Sequence, residues 1–160
     1  MSARVLALAC CLAILPAGIA AAARHPQVAA RTPAVAGGPL VLVGTAKADH
    51  LNGGSGNDRI TGRAGNDVLN GGPGNDTIAG DAGNDVIDGG PGDDVLLGGA
   101  GNDTITGGPG ADVIAGGAGN DVIYALDGEV DHISCGPGRD RVQADASDVV
   151  ASDCEKVVRG

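Results

Sequence analysis

Nine aspartates recur at intervals of nine residues: Asp49, Asp58, Asp67, Asp76, Asp85, Asp94, Asp103, Asp112 and Asp121. A regular series of carboxylates suits one chemistry above others, the coordination of hard cations through oxygen. Glycines stand at fixed places before six of them, as Gly54 and Gly56, Gly72 and Gly74, Gly90 and Gly92, Gly99 and Gly101, Gly108 and Gly110, and Gly117 and Gly119. Such residues let the chain turn tightly and present carbonyl oxygens without side-chain obstruction. No histidine or cysteine recurs with the series, which argues against zinc and copper. Magnesium demands strict octahedral geometry and keeps its waters, so calcium, with six to eight oxygen ligands, fits the donors best.

Positioning those donors is the task of a nine-residue block, repeated nine times without a gap over residues 44–124. Glycine is always first, aspartate sixth, and Ile or Leu eighth, as in Leu51, Ile60, Leu69, Ile78, Ile87, Leu96, Ile105, Ile114 and Ile123. The first six positions read as a turn, helped by Asn at position five, which tolerates left-handed backbone. The last three read as a short strand whose central side chain points inward. Two blocks then make one coil of an all-β parallel solenoid, which places the aspartates of blocks i and i+2 together. Nine blocks give nine minus two, or seven, such pairs. One aliphatic residue per block is a thin core, and stacked carboxylates repel. A cation between coils relieves both difficulties.

Some blocks depart from the pattern. Lys47 replaces a turn glycine, which weakens the expected pairing of Asp49 with Asp67, and Thr45, Arg63 and Asp81 replace the second glycine. Ala125 breaks the phase by one residue, after which Asp131 and Asp140 recur at the old spacing. These two are open between metal ligands and solvated turn acids.

The blocks Gly71-Gly72-Pro73-Gly74-Asn75-Asp76-Thr77-Ile78-Ala79 and Gly98-Gly99-Ala100-Gly101-Asn102-Asp103-Thr104-Ile105-Thr106 resemble the RTX, or haemolysin-type, calcium-binding repeat. The resemblance implies a parallel β-roll with calcium held in the turns by the sixth-position carboxylates and glycine carbonyls. It covers the nine blocks closely and the residues up to Val157 loosely.

Composition narrows the remaining functions. The 160 residues include 30 glycines and 1% aromatics, too few large side chains for a conventional enzyme core. A net charge of −10 repels nucleic acid and anionic membranes and attracts cations. There is no H-E-x-x-H zinc site, and no lysine follows the glycines to make a phosphate loop. Asp131, His132 and Ser134 are sequence neighbours, which rarely converge into a triad. His50 and His132 read as exposed strand residues.

Outside the repeats, residues 1–23 read as a secretory signal peptide, with Arg4 ahead of an apolar run and small residues that allow cleavage after Ala22 or Ala23. The apolar run is too short to span a bilayer comfortably. Residues 24–43 read as a linker ending in a first capping strand, 44–143 as the roll, and 144–160 as a C-terminal cap. Removing the signal leaves Cys135 and Cys154, an even count that favours one disulfide in an oxidising compartment over two free thiols. The expectation is a secreted, non-enzymatic calcium-binding module. A surface or adhesion protein is the first alternative, and an enzyme carried on the roll the second.

Overall fold

A residue buried between two outward-facing neighbours makes a short strand, and the chain lays down fourteen of them with no helix among the described residues. The computed structural model describes residues 37–160; the segment read as a signal peptide, 1–23, and the first part of the linker, 24–36, lie outside the described residues. Odd-numbered strands form one seven-stranded sheet: β1 (Val41–Val43), β3 (Arg59–Ala64), β5 (Thr77–Ala82), β7 (Val95–Ala100), β9 (Val113–Ala118), β11 (His132–Ser134) and β13 (Val149–Val150). Even-numbered strands form the other: β2 (His50–Asn52), β4 (Val68–Asn70), β6 (Val86–Asp88), β8 (Thr104–Thr106), β10 (Val122–Ala125), β12 (Arg141–Ala144) and β14 (Lys156–Arg159).

Every pairing is parallel and joins a strand to the second one after it, so that Ile60 lies on Ile78, Ile78 on Leu96, and Leu69 on Ile87. This is the parallel β-solenoid that the nine-residue period implied, with about seven coils. The eighth-position side chains fill its interior as two facing ladders, from Ile60 through Ile114 to Ile133 and from Leu69 through Ile123 to Val142, all buried. Leu42, Leu51 and Val150 pack against the ends of these ladders. The extra residue falls in the turn at 126–130: Tyr124 still lies on Thr106, whereas His132 lies on Val113. The longer turn absorbs it, and both sheets keep their inward faces.

Left-handed backbone is concentrated at the second and fourth turn positions, as in Gly72 (φ +94°) and Gly74 (φ +140°). At two of the three second positions that lack glycine the backbone is left-handed nonetheless: Arg63 has φ 80° and Asp81 φ 71°. An L-residue there costs about 1–2 kcal/mol, part of which glycine's greater freedom when unfolded cancels. Arg63→Gly is therefore expected to stabilise the folded chain by about 0.5–1 kcal/mol. Gly72→Ala should do the reverse and by more, because its Cβ would also strike the Gly54 carbonyl. Thermal unfolding midpoints of the two variants check this pair of opposite signs.

The asparagines at position five do not use left-handed backbone, contrary to the reading above; Arg63 and Asp81 are the only non-glycine residues with positive φ among the described residues. Their side chains instead tie the coils together. Asn66 Oδ1 accepts the N–H of Asn84 (2.9 Å), Asn84 Oδ1 that of Asn102 (2.8 Å), and Asn102 Oδ1 that of Asn120 (2.8 Å).

Residues after β12 supply the last strand of each sheet, and Cys154 is bonded there to Cys135, with the α-carbons 5.1 Å apart. Closing a loop with a sequence separation of 19 restricts the unfolded chain by about 3 kcal/mol in the loop-closure model. Reduction with dithiothreitol should lower the urea unfolding midpoint accordingly. An unmoved midpoint would show that the bridge carries no stability.

Candidate metal centre

Because one coil is two blocks, the sixth-position aspartates stack in two columns, one along each row of turns. In the first, Asp76 Oδ1 accepts the backbone N–H of Asp58 (2.6 Å), Asp94 Oδ1 that of Asp76 (2.7 Å), and Asp112 Oδ1 that of Asp94 (2.8 Å). In the second, Asp67, Asp85, Asp103 and Asp121 accept the N–H groups of Asp49, Asp67, Asp85 and Asp103 at 2.8–2.9 Å. One oxygen of each carboxylate thus holds adjacent coils in register.

The other oxygen is orphaned. Oδ2 of Asp58, Asp67, Asp76, Asp85, Asp94, Asp103, Asp112, Asp121, Asp131 and Asp140 is buried with no hydrogen-bond partner. In the eight blocks from Asp58 to Asp121 it points into the concave side of its own turn, over the glycine that begins the block. A Cβ on Gly71 would run into Asp76 Oδ2 and the Gly89 carbonyl, and one on Gly89 into Asp94 Oδ2 and the Gly107 carbonyl. Close approach, and not a positive φ, therefore makes position one glycine.

Ten unpaired carboxylate oxygens inside one small protein are costly, since each is removed from water without compensation. Their acidity shows it. Burial pushes Asp94 from the ordinary 3.8 up to about 7, and Asp103 and Asp112 to about 6, against the lowering effect of the N–H bond each accepts. Burial raises Asp67, Asp76, Asp85, Asp121 and Asp131 as well, and neighbouring carboxylates add to the rise.

A fold that holds protons more tightly than its unfolded chain is favoured below the unfolded pKa and loses that advantage as pH rises through the folded one. Without metal, the chain is thus expected to be more ordered near pH 4 than near pH 8, with the loss spread across the interval up to about 7 that Asp94 marks. Circular dichroism in EDTA across that range checks the direction. Equal order at both ends would mean that the carboxylates are not desolvated as described.

Carbonyl oxygens complete the turns. Those of positions one and three accept N–H bonds from the coil before, as in Gly54 N–H to Gly71 O (3.0 Å) and Gly56 N–H to Pro73 O (2.9 Å). Those of positions two and four aim at the matching glycine one coil on: a Cβ on Gly72, Gly74, Gly90, Gly92, Gly108 or Gly110 would meet the carbonyl of Gly54, Gly56, Gly72, Gly74, Gly90 or Gly92 respectively. In the second row Gly117 and Gly119 stand in the same way over Gly99 and Gly101. Gly65 and Gly83, passed over in the sequence because Arg63 and Asp81 precede them, occupy the same column.

The first turn differs. Asp49 Oδ2 accepts both the N–H (2.6 Å) and the hydroxyl (2.9 Å) of Thr45, so it is satisfied within its own block. Of the nine repeat aspartates, Asp49 alone has this arrangement, and Thr45 was legible only as a missing glycine. Asp131 and Asp140, by contrast, are not solvated turn acids; they are 0% and 2% exposed.

The far end closes with side chains that carry no repeat signature. Asp145 Oδ2 takes the N–H groups of Asp127 (2.9 Å) and Gly128 (2.7 Å), and Asp148 Oδ2 takes that of Asp145 (2.6 Å). Asp153 Oδ2 takes that of Gly136 (2.9 Å), a bond that holds its carboxyl below the ordinary value, and Glu155 Oε2 takes that of Asp140 (2.8 Å).

His50 and His132 lie exposed on their strands, and among the described residues no cluster of three or more His, Cys, Asp or Glu side chains is gathered to hold a metal. A site in these turns must therefore combine a few carboxylate oxygens with backbone carbonyls, the donor set that calcium accepts. No described helix is long and apolar enough to cross a membrane.

Comparison with the curated proteins finds no match. Among family models, the RTX calcium-binding nonapeptide repeat (4 copies) matches residues 41–69, 70–105 and 97–129, more than half of the chain. The matched residues all lie within the parallel roll, and the chain belongs to the RTX calcium-binding nonapeptide repeat family.

Proposed function

We propose that this protein is a secreted structural or interaction module whose roll is stabilised by calcium ions bound between successive turns. The observation that carries the reading is the set of buried Asp Oδ2 atoms without partners, which a cation would satisfy and whose mutual repulsion it would neutralise. Asp58, Asp76, Asp94 and Asp112 serve one row of turns, and Asp67, Asp85, Asp103 and Asp121 the other. Carbonyls of the second- and fourth-position glycines supply the remaining oxygens. Calcium contributes charge neutralisation and cross-linking of coils, and by linkage its preference for the folded chain becomes folding stability. Asp49, held by Thr45, is the weakest of the repeat aspartates as a ligand.

Export is supported by the composition of residues 1–23 and by a disulfide between the two cysteines that follow. Extracellular calcium would then fold the chain after it leaves the cell. Calorimetric titration of residues 24–160 with calcium, beside magnesium at equal concentration, tests the metal. Saturable heat for calcium that magnesium does not reproduce is expected, and its absence would overturn the reading. The mass of the exported protein tests the cleavage.

A further inference from the structure

The family match ends at residue 129, yet the structural pattern does not. Residues 135–140 read Cys-Gly-Pro-Gly-Arg-Asp, a repeat turn in all but its first residue, and they lie on turn 116–121 as every earlier turn lies on its predecessor. Asp140 Oδ1 accepts the N–H of Asp121 (2.8 Å), Pro137 O that of Gly119 (2.9 Å), and Cys135 O that of Gly117 (2.8 Å). Gly136 is left-handed at φ +89°, and Gly136 and Gly138 stand over the carbonyls of Gly117 and Gly119. Asp121 and Asp140 are 1% and 2% exposed, and the Oδ2 atom of each is buried without a partner.

We infer that turns 117–121 and 136–140 form a further calcium site, outside the matched repeats, in which Asp121 and Asp140 supply carboxylate oxygens and Gly117 and Gly119 supply carbonyls. The assignment rests on the calcium reading above. Cys135 replaces the glycine of position one, which supplies no ligand there, and its side chain leaves in the bridge to Cys154. The outer side of the turn is covered by the segment that leads into β14, where Asp153 and Glu155 take the N–H groups of Gly136 and Asp140 and no glycine turn follows. The site is thus the last of its row, and the bridge holds the turn that closes it.

Charge makes it a weak member of the row. Between residues 64 and 138 the chain has no Lys or Arg, whereas Arg139 and Arg141 flank Asp140 directly. The exposed Arg139 occupies the position that Asn120 holds one coil earlier, and its backbone N–H continues that ladder by donating to Asn120 Oδ1 (3.0 Å). Restoring asparagine there removes a positive charge beside the site and leaves the core untouched.

Native mass spectrometry of the disulfide-intact chain, titrated with calcium alone, counts the bound ions. Asp140→Asn keeps an oxygen for the Asp121 N–H and removes the charge; it should bind one calcium fewer than the parent chain. Asp88→Asn, which makes the same change on an exposed strand position, should bind the full number. Arg139→Asn should fill the last equivalent at a calcium concentration severalfold lower than the parent. An unchanged count in Asp140→Asn, or an unshifted last equivalent in Arg139→Asn, overturns this assignment while leaving the other sites standing. A parent chain that binds no calcium sinks the wider reading instead.

Discussion

Stripped of calcium by EDTA at pH 7.5, above the values of about 6 to about 7 to which burial lifts Asp103, Asp112 and Asp94, the chain is expected to lose most of its β-sheet circular dichroism and to recover it when calcium is returned. The size of the effect follows from how little else holds the roll. Its interior is a single aliphatic side chain per block, with no Phe or Trp in the whole sequence. Against that thin core stand columns of carboxylates one coil apart, each with an oxygen buried and unpaired. At neutral pH they must either ionise without partners or hold protons against solution. Both cost stability, and unfolding relieves both. Calcium in excess of its dissociation constant by a hundredfold adds about 2.7 kcal/mol per independent site, so a few occupied sites outweigh the usual margin of a small domain. Circular dichroism at fixed pH, with magnesium as the control ion, is the measurement. Undiminished order and an unmoved melting midpoint after chelation would falsify the calcium-stabilised roll.

Asp94→Asn should separate the two roles of one carboxylate by moving stability in opposite directions. Asp94 lies mid-column, and burial lifts it furthest among the groups with a stated value, to about 7. The amide retains an oxygen to accept the Asp76 N–H, now at 2.7 Å, and carries no charge to be desolvated. Without metal the variant is expected to be more stable than the parent by about 1–3 kcal/mol at neutral pH, because the buried group no longer has to ionise without a partner or hold a proton there. With saturating calcium the order reverses, because a ligand charge has been removed from the column. Urea unfolding of both chains, with and without calcium, gives the four midpoints required. A variant destabilised equally in both conditions would mark Asp94 as a structural residue only. Asp76, its neighbour in the same column, should show the same crossing with smaller amplitude in the metal-free state.

The period of nine was enough to read the solenoid. Glycine first, aspartate sixth and an aliphatic eighth leave a three-residue strand per block, and such strands stack in parallel; in one sheet the structure departs from this, β3, β5, β7 and β9 running on through the first three residues of the next block to a length of six. The buried ladder from Ile60 to Ile123 and the two aspartate columns follow from that arithmetic alone. Other roles are decided by the stacking of the coils. Asparagine at position five looks like a left-handed turn residue, yet Asn66, Asn84 and Asn102 act through their side-chain oxygens, because stacking puts a backbone N–H of the next coil within reach. Thr45 looks like a lost glycine, yet its hydroxyl satisfies Asp49.

What the sequence determined by itself is whatever repeats: the inward residue, the pairing of block i with block i+2 and the oxygen-rich turns. Local spacing decides these, since each is the same event recurring every nine residues. Only the tertiary structure decided where the columns begin and end. Asp49 drops out and Asp131 and Asp140 join because burial and hydrogen-bond partners, and not spacing, determine whether a carboxylate oxygen is left unpaired. Asp145 and Asp153 follow no period and answer the N–H groups of Asp127 and Gly136, whereas Asp148 and Glu155, just before β13 and β14, take those of Asp131 and Asp140 as the column aspartates do.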